Sequence, residues 1–315
     1  MPTKRQIGMG ALGSLVVLAG AAALRSRSGS GGPRRRASHP SRQQAVIKAA
    51  RRLNRASGLI ATSTLLDSTI EHYRGSFHNK AMITPVVVSA ATLAVSAHGT
   101  GDRRAGAHEV RDPVYLAAAV TGLVGTGFHI YNITKRPGGF SWQNLFYGSP
   151  LGAPAAVALS GLLGYYSERL RDSGSRRVRV FGFRAGRALA ALTSIGLLAT
   201  AAEAGLLHFR GAYHDPFMYV PVTVPPVAAA LLAETASSHP DKPRRFTQWW
   251  LRLTAAIGFI GAGFHAFGVH RNMGGWRNWK QTLLNGPPVP APPSFTGLAL
   301  AGLAALGLLS EHPDA

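Results

Sequence analysis

The chain reads as an all-α, polytopic membrane protein made by tandem duplication of a four-helix transmembrane unit. Three observations predict this. Residues 72–79, His-Tyr-Arg-Gly-Ser-Phe-His-Asn, return at 208–215 as His-Phe-Arg-Gly-Ala-Tyr-His-Asp, and the match runs on through Met82/Met218, Pro85/Pro221 and Val86/Val222. A second stretch, Gly122 to His129, matches Gly258 to His265 at the same offset of 136 residues, and two stretches at one offset mark a repeat. The remaining observation is a series of apolar segments near the roughly 20 residues that a spanning helix needs, separated by blocks of basic residues.

Composition narrows the classes of function. The 34 Lys and Arg outnumber the 13 Asp and Glu, a formal charge of +21. Such an excess points to nucleic acid, acidic lipid, or a membrane protein whose loops carry the charge. The basic residues lie between the apolar runs and no nucleic-acid-binding module is present, so membrane lipid is the expected partner and nucleic acid is not. The absence of cysteine excludes disulfides, thiolate-bound iron–sulfur clusters, Cys-type zinc sites and covalent c-type haem.

In order along the chain, residues 1–24 hold an apolar stretch, 7–24, behind Lys4 and Arg5, which reads as a signal peptide or an N-terminal anchor helix. Residues 25–55, with ten Lys or Arg among Ser, Gly and Pro, read as a solvated, lipid-facing or partly helical basic linker. The first membrane repeat, 56–170, is expected to span at about 56–73, 83–99, 113–133 and 153–170. A basic cytoplasmic linker, 171–187, leads to the second repeat, 188–310, with spans at about 188–209, 219–236, 247–270 and 292–310 and a short tail at 311–315. Richness in Ala, Leu and Gly without two-residue alternation favours helix over barrel strand. Pro85 and Pro221 suit first helical turns, where a missing N–H is tolerated. The Gly- and aromatic-rich connections around Phe140 and Trp142, and around Trp276 and Trp279, suit the membrane–water boundary.

Charge predicts topology. Loops on the side of the basic linker hold 23 Lys and Arg, against eight in the loops on the other side, so the first side is expected to be cytoplasmic, as in a bacterial inner membrane. An uncut N-terminal helix would then have to begin outside despite Lys4 and Arg5. Four helices per repeat make the repeats parallel.

In this topology His72 and His208 end the first helix of each repeat, and His129 and His265 end the third, on the non-cytoplasmic face. His78 and His214 follow in the turn. Asp67 and Glu203, also matched, lie inside apolar segments where an ionisable group is expensive and usually functional. Three chemistries fit. Haem b would take His72 with His129 and His208 with His265 as axial ligands, since each pair comes from different helices at similar depth. A nitrogen–oxygen site for iron, manganese or zinc would add His78, His214, Asp67 and Glu203, and a copper site would pair His78 with Met82 and His214 with Met218. Against these stand plain structural readings, in which the histidines are polar groups at helix ends and the Gly-x-Gly-Phe-His segments are helix-packing surfaces. The expected function is electron transfer between a redox partner outside the membrane and the membrane quinone pool, or membrane anchoring of that partner, with no bond chemistry in this chain. The alternatives are a transporter or channel for a metal ion or small solute, and a structural or assembly protein.

Overall fold

The structure, a computed structural model, describes residues 40–173, 179–180, 182–237 and 244–311. The expected signal or anchor stretch 1–24, the linker up to residue 39, parts of the 171–187 linker and the tail beyond Glu311 lie outside these residues. What is described is helical apart from a two-residue hairpin, β1 (Arg179–Val180) with β2 (Phe183–Arg184). The first half consists of α1 (Pro40–Arg74), α2 (Thr84–Gly101), α3 (Arg111–Thr134), the short α4 (Trp142–Tyr147) and α5 (Gly152–Ser173). The second consists of α6 (Ala185–Arg210), α7 (Val220–Ser237), α8 (Arg245–Arg271), the one-turn α9 (Trp279–Thr282) and α10 (Pro293–Glu311).

Six helical segments are long and apolar enough to cross a membrane: Lys80–Gly101, Arg111–Thr134, Ala185–Arg210, Pro216–Ser237, Arg245–Arg271 and Pro293–Ser310. Large apolar side chains at mid-helix, among them Leu123, Ile195 and Ile260, face outward. Exposed apolar surface on this scale is rare in water but ordinary against lipid, and the chain is built as an integral membrane protein. Helices α1 and α5 are absent from that set because α1 carries Ser, Thr and charge along its length and the apolar run of α5 gives way to the charged stretch 168–172. The basic linker expected to end at 55 is helical from Pro40, making α1 35 residues long, or roughly 50 Å at about 1.5 Å per residue.

Within each half the first helix packs on the second and fourth, the second on the third, and the third on the fourth. The halves meet where α1 lies against α10 and α5 against α6. Glycine makes the third and fourth helices approach closely. A Cβ at Gly122 would run into the Ala158 backbone, and one at Gly258 into Thr296. This close approach is the small-residue packing that substitutes for hydrophobic drive in lipid. Gly125 and Gly261 similarly face Pro154 and Pro292. Beyond Gly275 the correspondence between halves moves from 136 to 138 residues, because the second connection is two residues longer.

Candidate functional site

The turn after α1 and its counterpart after α6 have the same build. Helix α1 closes with Phe77 N–H donating to the His72 carbonyl (2.9 Å) and Ser76 N–H to that of Tyr73 (2.8 Å), and α6 closes with Tyr213 to His208 (3.1 Å) and Ala212 to Phe209 (2.9 Å). These two bonds satisfy carbonyls that a helix end leaves open. The left-handed residues needed for the closure are Ser76, Phe77, Ala212 and Tyr213, with φ between 44° and 56° and no glycine among them. Non-glycine residues there cost on the order of 1 kcal/mol each. Gly75 and Gly211 serve close approach instead, since a Cβ on either would press on the Met82 or Met218 methyl at 3.1 Å. Asn79 and Asp215 then cap the next one-turn helices through their side-chain oxygens.

This turn brings a backbone carbonyl to each first histidine. His72 Nδ1–H donates to the Met82 carbonyl at 2.6 Å and His208 Nδ1–H to that of Met218 at 2.9 Å. His129 and His265, in the last two turns of α3 and α8, do the same to a proline carbonyl in the connection ahead of the fourth helix. His129 donates to Pro150, and His265 to Pro288 at 2.8 Å. In all four rings Nδ1 carries the proton, which leaves the Nε2 lone pair as the available ligand atom. The rings of His208 and His265 lie 6.5 Å apart, centroid to centroid, with planes at 81°. His72 and His129 are near enough for the charge of one to act on the other. Phe77 and Tyr213 pack edge-on against His72 and His208, each with ring centroids 6.1 Å apart. Beside the second histidines, Gly127 and Gly263 have open space where a side chain would stand.

The remaining expected residues fall differently. His78 and His214 are exposed and donate through Nδ1 to the Gly75 and Gly211 carbonyls, each at 3.0 Å. Glu203 lies at the contact between halves, where its carboxylate feels the charge of Asp67 and accepts from the Gly152 N–H at the start of α5. Met82 and Met218 take part through their carbonyls. Among the described residues no three His, Asp or Glu side chains converge as a metal-binding group.

Two arginines of the repeated turn tie the halves together. Arg74 donates to the Leu284 carbonyl of the second connection at 3.4 Å, and Arg210 lies over the Phe146 ring of the first connection at 5.0 Å. Tyr73 meets Trp279 and Phe209 meets Phe146 across the same seam.

A second polar assembly was not visible in the sequence reading. At the opposite end of the bundle, 18 residues and roughly 27 Å of helix from His129, Arg111 is fully buried. It donates through Nε to Glu168 Oε1 at 2.9 Å and pairs through Nη2 with Asp102 at 2.9 Å. Arg171, also buried, donates to Asn54 Oδ1 at 3.1 Å and to the carbonyls of Gly99, Asp102 and Arg104 at 2.9 to 3.1 Å. Asn54 in turn donates to Tyr115 and Ser167. Arg111, Glu168 and Arg171 sit at predicted helix ends, where charge reads as loop charge. Their signal was the set Asn54, Ser96 and Tyr115 on core faces, matched in the second half by the apolar Ala190, Leu232 and Leu251.

Comparison with protein-family models, with curated proteins and with solved structures gives no match for this chain.

Proposed function

We propose that the chain is a tandem duplication of a four-helix unit with eight spans. In this reading it binds haem b, or another redox metal such as iron or copper, through His72 with His129 and His208 with His265 near the non-cytoplasmic face. It passes electrons between a periplasmic or extracellular redox partner and the quinone pool of a bacterial inner membrane. The observation that carries this reading is the recurrence, in four histidines, of an Nδ1–H bond to a backbone carbonyl. Such a bond fixes the tautomer and ring orientation of a histidine that ligates through Nε2. The His208 and His265 rings lie at 6.5 Å, a separation at which the two imidazoles could hold one metal between them, given metal–nitrogen bonds of about 2 Å. A haem would be held by one such pair of histidines without a third ligand, and the open space beside Gly127 and Gly263 would leave room for it.

Haem, when bound, supplies a one-electron couple. The chain's own residues do the rest. The carbonyls of Met82, Pro150, Met218 and Pro288 hold the rings, Phe77 and Tyr213 pack them, and in this reading Asp67 and Glu203, five residues before His72 and His208 on the same helices, are proton carriers or additional ligands. His78 and His214 are additional ligands or proton carriers on the same face. The test is an oxidised and a reduced absorption spectrum, with elemental analysis, on one detergent-purified sample from haem- and metal-replete cells. A Soret band that shifts on reduction is expected, and neither chromophore nor stoichiometric transition metal would overturn the reading.

One observation favours a second reading, transport of a metal ion or small solute. The Glu203 carboxylate feels the charge of Asp67 across the halves, where a transient site between repeats would lie. It predicts ion flux in proteoliposomes that fails in Glu203→Ala, with no stable chromophore.

A further inference from the structure

The loop between α2 and α3, at the end of the bundle away from the matched histidines, holds a depression of about 430 Å³ lined by His98, Gly101, Asp102, Arg103, Arg104 and His108. We infer that it is a binding site for a phosphate group, with Arg103, Arg104, His98 and His108 as its donors.

The loop is held in place by the buried assembly beneath it. Arg171 donates to the Asp102 and Arg104 carbonyls, its own carbonyl accepts from Gly106 N–H at 2.9 Å, and Glu168 accepts from His108 N–H at 2.9 Å. Side chains on a backbone fixed this way present donors in a set geometry, which lowers the ordering cost of binding.

The histidine tautomers are set as well. Val110 N–H donates to His108 Nδ1 at 3.2 Å, so a neutral His108 carries its proton on Nε2. Arg111 Nη1 lies 3.5 Å from His98 Nδ1, and since a guanidinium only donates, His98 also carries its proton on Nε2. The two rings meet edge to face at 5.0 Å. Both therefore offer an N–H donor to an incoming oxygen.

Charge at the depression is cationic. Asp102 lines it, but its carboxylate already accepts from Arg104 N–H at 2.9 Å and pairs with Arg111. Glu168 is committed to Arg111 beneath, and Glu109 nearby is exposed. The exposed Arg103 and Arg104 side chains form no ion pair among the described residues. A guanidinium fork and imidazole N–H groups match the oxygens of a phosphate. The group belongs to a phospholipid headgroup or to free phosphate, because the depression opens at the end of the bundle where the basic loops gather.

The test uses the full chain in detergent, with native mass spectrometry against phosphatidylglycerol and phosphatidylcholine and calorimetry against inorganic phosphate. Wild type should retain one phosphatidylglycerol per chain in preference to phosphatidylcholine. The double variant Arg103→Ser/Arg104→Ser should bind about tenfold more weakly, the worth of one lost charge-assisted bond. Arg187→Ser/Arg245→Ser, which removes equal charge from exposed positions at the same end, should bind as wild type. Displacement of the lipid by inorganic phosphate would identify free phosphate as the ligand, and lipid binding that phosphate does not displace would identify the headgroup. Equal loss in both double variants, or no binding of either probe by wild type, would overturn the site. Both arginines are exposed, so an unchanged melting temperature shows that any loss is one of binding.

Discussion

The two ends of the bundle treat the two halves differently. At the end with the matched histidines, the same hydrogen bonds, left-handed turn residues and glycine approaches recur in both halves. At the other end the first half is ionic and the second is not. Where the first half has Asn54, Ser96, Tyr115, Glu168 and Arg171, the second has Ala190, Leu232, Leu251, Leu306 and Leu309, all buried. Thr247 stands for Arg111. The fourth helices show that apolar residues suffice to hold such a bundle end together, as α10 packs its leucines against Leu232 and Leu251. The ionic assembly is therefore not required by the architecture. Buried ion pairs often add little stability over apolar packing of the same volume, which leaves positioning of the Arg103–His108 loop as its evident work.

The largest expected effect follows directly. Glu168→Ala leaves Arg111 buried beside an empty partner position and should cost about 3–5 kcal/mol, read as a large fall in melting temperature. Replacing the assembly by its second-half residues, Asn54→Ala, Ser96→Leu, Arg111→Thr, Tyr115→Leu, Glu168→Leu and Arg171→Leu together, should recover most of that loss. A combined variant as unstable as Glu168→Ala would show that the halves are not interchangeable there.

The shared packing predicts equal responses. Gly122→Val and Gly258→Val each force a side chain into the facing helix and should cost about 1–3 kcal/mol or more, to a similar degree in both halves. A smaller gain is expected from Ser76→Gly and Ala212→Gly. Each relieves a left-handed residue at an exposed turn, for roughly 0.5–1 kcal/mol after the entropy cost of glycine. A gain in one half alone would break the equivalence of the turns.

The smallest effect is one of pH and belongs to the ionic end. Burial works to raise the Asp102 carboxyl, but the Arg104 N–H and the Arg111 and Arg171 guanidiniums outweigh it and hold it below its ordinary 3.8. A carboxyl lowered on folding adds stability that is complete above its unfolded value and is lost as pH falls through the folded one. Asp102→Asn should therefore flatten part of the acid limb of a melting profile below about pH 4, with the neutral-pH melting temperature also reduced by the weakened pairing to Arg111.

Much of the fold was legible because lipid imposes a simple code. Long apolar runs, helix-starting prolines such as Pro85 and the repeated octapeptide together located the long helices to within a few residues, except that α1 starts well before residue 56. The histidines were placed at helix ends by topology, but their carbonyl partners were not, because Pro150 and Pro288 meet His129 and His265 through a connection whose path no pattern encodes. The ionic end was hidden for a different reason. Arg111, Glu168 and Arg171 lie at helix termini, where sequence cannot distinguish a solvated charge from a buried one, and only the packing of α1, α3 and α5 sets their burial.

The paired-histidine reading meets its most direct test in cofactor stoichiometry. Haem per chain, measured by pyridine haemochrome on purified protein, is expected to be two for wild type, one for His129→Ala and one for His265→Ala, and none for the double variant. Wild-type protein from haem-replete cells carrying no haem and no transition metal, or single variants that keep the full complement, would contradict it.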